Sequence, residues 1–152
     1  GGGARGGGTR AGGVAIEAAR EGLPLAFQLL VYPMLDDRTR EPDPHHRLWN
    51  ASANAFGWSS YLGGADTQEA VPARRTDLAG LPAAWIGVGT LDLFATEDSD
   101  YAERLRAAGV DCQVDVVPGA FHGFDIVAPR TSIAQDFFGR QCEAVRRALA
   151  HD

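Results

Sequence analysis

Two stretches of this chain are apolar on both faces, and few folds can accommodate that. Leu25-Ala26-Phe27-Gln28-Leu29-Leu30-Val31-Tyr32, closed by Pro33, is one; Ala83-Ala84-Trp85-Ile86-Gly87-Val88-Gly89 is the other. A strand wetted on one side alternates apolar and polar residues. A strand that does not alternate must be covered on both sides, as parallel strands between helices are. Val110 to Val117 alternates more and is expected nearer a sheet edge.

Around these runs the spacing turns helical. Val14, Ala15, Ala18 and Ala19 give Ala11 to Arg20 a small apolar face, stopped by Gly22 and Pro24. Ser52 to Leu62 carries Phe56, Trp58 and Tyr61 and ends at Gly63-Gly64. A helix from about Thr96 to Gly109 shows Tyr101, Ala102, Leu105 and Ala108 on one side. Its Glu97, Asp98 and Asp100 fall in the first turn, where carboxylates favour the helix dipole. Ile133, Phe137, Phe138, Cys142, Val145 and Leu149 mark one face of a last helix. Asp36 to Arg47, the stretch through Pro72, Asp77 and Pro82, and Pro118 to Phe124 read as loops. The order is that of an α/β fold with a parallel sheet. Its 152 residues suffice for one domain with a real core.

Ligands of such sheets gather beyond the carboxyl ends of the strands. Three features fall at that edge: the glycine-rich opening Gly1 to Gly8, Asp92 just after one strand, and His122 in the loop after the next. An acid and a histidine so ordered match the second and third members of a nucleophile–acid–histidine triad. The acid would fix the imidazole tautomer and the imidazole would act as general base.

Other sequence blocks make the likeness specific. They are Tyr32-Pro33-Met34-Leu35-Asp36-Asp37-Arg38, Phe56-Gly57-Trp58 with Tyr61-Leu62-Gly63, and Thr76-Asp77-Leu78 with Gly80-Leu81-Pro82. Gly89-Thr90-Leu91-Asp92-Leu93-Phe94 and Gly119-Ala120-Phe121-His122-Gly123-Phe124 follow in the same order. Together they resemble the hormonesensitive-lipase family of α/β-hydrolases, the group of bacterial acetyl-esterases and related carboxylesterases, from Gly3 to about Leu149. The resemblance implies the C-terminal part of an α/β-hydrolase fold over residues 1–152, with Asp92 as the acid and His122 as the histidine. It implies a small-molecule ester as substrate and no cofactor.

The resemblance also exposes departures. The family's elbow reads Gly-x-Ser-Ala-Gly-Gly, and an ungapped match sets it on Gly3-Ala4-Arg5-Gly6-Gly7-Gly8. Arg5 then stands where the nucleophilic serine belongs, and Gly6 where a backbone N–H would serve the oxyanion hole. A register one residue earlier puts Ala4 there, equally without a hydroxyl. The family's preceding half, with its His-Gly-Gly-Gly oxyanion loop, is not found in the sequence. The expectation is therefore a chain without esterase turnover, which Arg5→Ser alone does not restore. The alternative is a non-catalytic binding or assembly module, self-associating through a sheet edge at Leu25 to Tyr32.

Rival readings of the same residues are weaker. Gly1-x-Gly3-x-x-Gly6 satisfies a dinucleotide fingerprint, but no strand precedes it and the glycine run would satisfy almost any such pattern. The Arg5-Gly6-Gly7 and Arg10 tract resembles an RNA-binding segment, yet a net charge of −6 disfavours nucleic acid and anionic membrane. Asp36, Asp37, Asp43, His45 and His46 match no metal-ligand spacing and read as a solvated loop; no metal is expected. Phe56, Trp58 and Tyr61 are read as core before acyl pocket. Cys112 lies inside a strand with no base nearby in sequence, which argues against a replacement nucleophile. With Cys142 it suggests small buried thiols in a reducing compartment. The longest apolar run, Leu23 to Leu35, is broken by Pro24, Gln28 and Pro33, and no charged-then-apolar leader opens the chain. A cytoplasmic protein without a membrane span is expected.

Overall fold

The computed structural model describes residues 13, 14, 16–18 and 21–150. Gly1 to Gly8, including Arg5 and Gly6, lie outside the described residues. So does part of the helix expected over Ala11 to Arg20, of which 13, 14 and 16–18 are helical.

Three strands, β1 (Gln28–Val31), β2 (Ala84–Gly89) and β3 (Cys112–Val117), form a sheet in the order β1-β2-β3. Both pairings are parallel, with Gln28 opposite Ala84 and Ala84 opposite Cys112. Besides the helical residues at 13, 14 and 16–18, the helices α1 (Ala51–Leu62), α2 (Thr67–Ala70), α3 (Ala95–Ala107), α4 (Phe124–Val127) and α5 (Ser132–Leu149) accompany them. A 3-10 turn covers Pro72–Arg74. The expected α/β class and parallel sheet hold, and α2 with the 3-10 turn adds structure to what the sequence suggested was loop. Among the described residues no helix is long and apolar enough to cross a membrane.

Every residue of β2 is buried, because side chains alternate into two different cores. Ile86 joins Leu30, Tyr101, Ala102, Leu105 and Cys112 on the α3 side. Trp85 joins Val117, Phe124, Ala134, Phe137 and Ala144 on the α5 side. A third cluster, with Met34, Trp58, Val71, Val88, Leu93 and Phe94, closes over the carboxyl end of β2. Arg140 of α5 pairs with Asp115 of β3 and fastens that helix along the strand. Local signals set the ends of α1: the Asn50 side chain accepts from the Ala53 N–H, and Gly63 adopts φ 52° at the C-cap.

Several expected faces need correction. β1 is half the expected length, since pairing with β2 starts only at Gln28, and Leu23 and Leu25 stay exposed. In the first helix Ile16 and Ala18 are buried while Val14 is exposed. In α1 only Trp58 of the three aromatics is core; Phe56 is exposed. In α5 the buried residues are Ala134, Phe137 and Ala144, whereas Phe138 and Leu149 face outward. Small residues let α5 approach the sheet closely, so the bulkier neighbours rotate to its flank.

Candidate active site

Parallel pairing of β2 with β3 puts the segments that leave them side by side, and a short lattice of hydrogen bonds locks the two together. The Thr90 N–H donates to the Val117 carbonyl (3.0 Å) and the Leu91 N–H to the Ala120 carbonyl (2.9 Å). In the other direction the Gly119 N–H donates to Thr90 Oγ1 at 2.8 Å. Gly89 allows this approach, because a Cβ there would overlap the Ala120 carbonyl.

That lattice carries Asp92 and His122 to each other. His122 Nδ1 lies 3.0 Å from Asp92 Oδ2. A carboxylate only accepts, so Nδ1 carries the proton and Nε2, on the far side of the ring, is left as the basic nitrogen. The Asp92 side chain is fully buried and that of His122 is 19% exposed. Asp92 Oδ1 accepts the Phe94 N–H at 3.0 Å, which fixes the second carboxylate oxygen as well.

Three aromatic rings surround the imidazole. Tyr32 stands edge-on at 4.6 Å between centroids, Phe94 edge-on at 5.4 Å and Trp49 tilted at 5.8 Å. An imidazole hydrogen-bonded to a buried carboxylate and walled by aromatic rings can accept a proton at Nε2 while the acid stabilises the resulting cation.

Similarity to known proteins places the fold. The family described as alpha/beta hydrolase fold matches residues 2–126. The chain belongs to the α/β-hydrolase family. It is 32% identical over 150 residues to the carboxylesterase NlhH of Mycobacterium tuberculosis, covering 90% of this chain and 46% of that protein. Among solved structures it is similar to the esterase LipW from Mycobacterium marinum (TM-score 0.84, 39% identity, 95% of this chain and 48% of LipW). A bacterial heroin esterase matches with TM-score 0.84 and 33% identity, over 94% of this chain and 49% of that one. The chain thus spans about half the length of the relatives it matches. The expected hormone-sensitive-lipase-type resemblance holds, and the chain is a carboxylesterase-like α/β-hydrolase.

The acids Glu97 and Asp98 lie in the first turn of α3, as the sequence suggests, but they do not face solvent; both are buried. Burial pushes the Glu97 carboxyl up to about 7, against hydrogen bonds from Thr39 and the Leu35 and Asp36 N–H groups. Asp98 has no hydrogen-bond partner among the described residues; burial, with Glu97 and Asp92 close by, holds it well above the usual carboxylate range.

Two of the loop acids that raised the question of a metal are engaged by arginines, and Asp43 accepts the His45 N–H. Asp36 holds Arg38 through both oxygens (2.8 and 2.7 Å), and Asp37 holds Arg74 in the same way (2.7 and 2.9 Å). Cys112 is buried, and burial pushes its thiol up to about 11, far from a reactive thiolate at neutral pH. Sequence reasoning missed Tyr32, Trp49, Phe94 and Glu97 as neighbours of the site or its supports. For Tyr32 a signal existed: it follows β1 as directly as the Asp92 turn follows β2, at the same edge of the sheet.

Proposed function

We propose that residues 1–152 form part of a carboxylesterase domain in which Asp92 and His122 are the acid and the base, and that this chain does not itself turn over esters. The 3.0 Å bond between Asp92 and His122 at the carboxyl edge of the sheet carries the reading. In an enzyme of this kind His122 Nε2 would take the proton of a serine hydroxyl as it attacks an ester carbonyl. Asp92 would stabilise the imidazolium, and His122 would then activate the water that releases the acyl group. Arg5 falls where the resemblance puts that serine, and a guanidinium, charged at any ordinary pH, is no nucleophile. The Gly6 N–H, in the same register, would be an oxyanion-hole donor. The esterase names of the relatives make a small carboxylic ester the substrate class.

The test is hydrolysis of p-nitrophenyl acetate by the purified chain beside its His122→Ala variant. The expected rate for both is that of buffer. Hydrolysis abolished by His122→Ala would overturn the proposed inactivity while keeping the base; hydrolysis indifferent to His122 would remove its assigned role. Loss of such activity on Cys112→Ala would move the nucleophile to the cysteine.

A second reading, self-association, is favoured by one specific observation. β1 is an outer strand of the described sheet, and Phe138 and Leu149 are exposed in a groove that also includes Leu29, Cys142 and Val145. Unpaired strand edges beside apolar surface invite association. Sedimentation of the chain as a concentration-independent monomer would count against it.

A further inference from the structure

Tyr32 sits in a backbone conformation that a bulky residue seldom adopts, with φ at 36°. Such a conformation is strained and persists only where its surroundings enforce it. Here the Tyr32 N–H donates to the Gly87 carbonyl at 2.6 Å, extending the β1–β2 pairing one residue beyond the strand. Besides packing against two core clusters, the side chain makes two specific contacts with the segment that bears the histidine. Its ring meets the imidazole of His122 edge-on, and its hydroxyl donates to Asp125 Oδ1 at 3.2 Å. Asp125 lies three residues beyond His122, inside α4.

We propose that Tyr32 is a positioning residue for His122. Its ring confines the imidazole to the rotamer that faces Asp92, and its hydroxyl ties down the loop through Asp125. The proposal rests on the reading of His122 as a base. The bond to Asp92 fixes one ring atom and does not by itself hold a loop histidine in one orientation. The ring contact and the tether close two ways out: rotation of the imidazole and displacement of the loop. Phe94 and Trp49 also stand against the ring, which keeps some exposure to solvent; the titratable groups in contact with it are Asp92 and Tyr32, with Asp125 behind the Tyr32 hydroxyl. Burial, then the charge of Asp125, holds the Tyr32 phenol above its usual range, so it stays a neutral donor around neutral pH.

The experiment reads the imidazole directly and needs no turnover. Long-range proton–nitrogen correlation spectra of the histidine-labelled chain are recorded from about pH 5 to about pH 9, across imidazole titration. Wild type, Tyr32→Phe and Tyr32→Leu are compared, with folding checked by circular dichroism. The wild type should show neutral His122 as one tautomer with the proton on Nδ1. Tyr32→Leu should lose that single pattern for mixed tautomers, and Tyr32→Phe should keep the tautomer but broaden the signals as the loop is untethered. A folded Tyr32→Leu chain with an unchanged His122 spectrum would overturn the proposal. If Tyr32→Leu does not fold, an unbroadened Tyr32→Phe spectrum would do so. Mixed tautomers in the wild type would bring down the Asp92–His122 pairing, and this proposal with it. An esterase assay that contradicts the proposed inactivity leaves the spectral result untouched.

Discussion

Glu97 Oε1 accepts the backbone N–H of Leu35 at 2.6 Å, joining the first turn of α3 to a segment 62 residues earlier in the chain. The same oxygen accepts the Asp36 N–H at 3.1 Å. Asp92 and Phe94 lie immediately before α3, and Tyr32 immediately before this segment. One buried carboxyl group therefore braces two of the walls around His122 from behind.

That brace should make stability fall as pH rises. Burial raises the folded-state Glu97 carboxyl from 4.5 to about 7, so the folded chain holds a proton there that the unfolded chain releases. The contribution is fully present below about 4.5 and is lost as pH climbs through about 7. Its size is at most roughly 3 kcal/mol. Glu97→Gln keeps a carbonyl oxygen for the two N–H groups and cannot ionise. Urea unfolding across that window should show a flatter pH profile for Glu97→Gln than for wild type; parallel profiles would refute the assignment.

Gly89→Ala probes the lattice between the two loops. The added methyl overlaps a backbone carbonyl, that of Ala120, which no rotamer change can move aside. Overpacking of this kind costs about 1–3 kcal/mol, and it should fall here on the contact that aligns Asp92 with His122. Urea unfolding should show the loss, and the His122 ring signals should shift with it. A variant as stable as wild type, with unmoved signals, would mean that the loops tolerate separation.

The thiols should separate cleanly. Cys142 is half-buried, whereas Cys112 lies within β3, with its thiol pushed up to about 11 by burial. An aromatic disulfide reagent near neutral pH should label Cys142 in the native chain and Cys112 only at the rate of unfolding. Equally rapid labelling of both would contradict the burial of β3 and reopen the question of a reactive Cys112.

What the sequence made legible follows from what parallel sheets enforce. Asp92 and His122 could be brought to one edge from strand order alone, because parallel β2 and β3 end on the same side. The fully apolar β2 was equally plain. Faces are harder: periodicity marks an apolar stripe but not which flank meets the sheet, so of the stripe through Phe137, Phe138 and Leu149 only Phe137 is buried, beside Ala134 and Ala144. Glu97 and Asp98 look, by pattern, like an ordinary solvated first turn. Their burial is decided by the return of the distant Leu35–Asp36 segment, which no local window contains. The positive φ of Tyr32 is likewise imposed by pairing with Gly87 and by the His122 loop, since the residue type itself disfavours it.

Asp92→Asn separates orientation from charge at the centre of the site. The amide oxygen can still accept the Phe94 N–H, as Asp92 Oδ1 does at 3.0 Å. Its NH₂ group then faces His122 Nδ1 and needs an acceptor there, so the neutral imidazole must move its proton to Nε2. The substitution also removes one of the charges that, after burial and Glu97, push the Asp98 carboxyl up, and it relieves the burial of a carboxylate. The expected outcome is a chain of nearly unchanged or slightly raised stability whose His122 carries the opposite tautomer. A proton fixed on Nε2 would leave the ring no basic nitrogen on the side away from the acid, and any His122-dependent base chemistry would be lost without loss of fold. Nitrogen chemical shifts of the ring decide it. If Nδ1 remained protonated in a folded Asp92→Asn chain, the proton on that nitrogen would owe nothing to Asp92, and the proposed pairing of acid and base would fall.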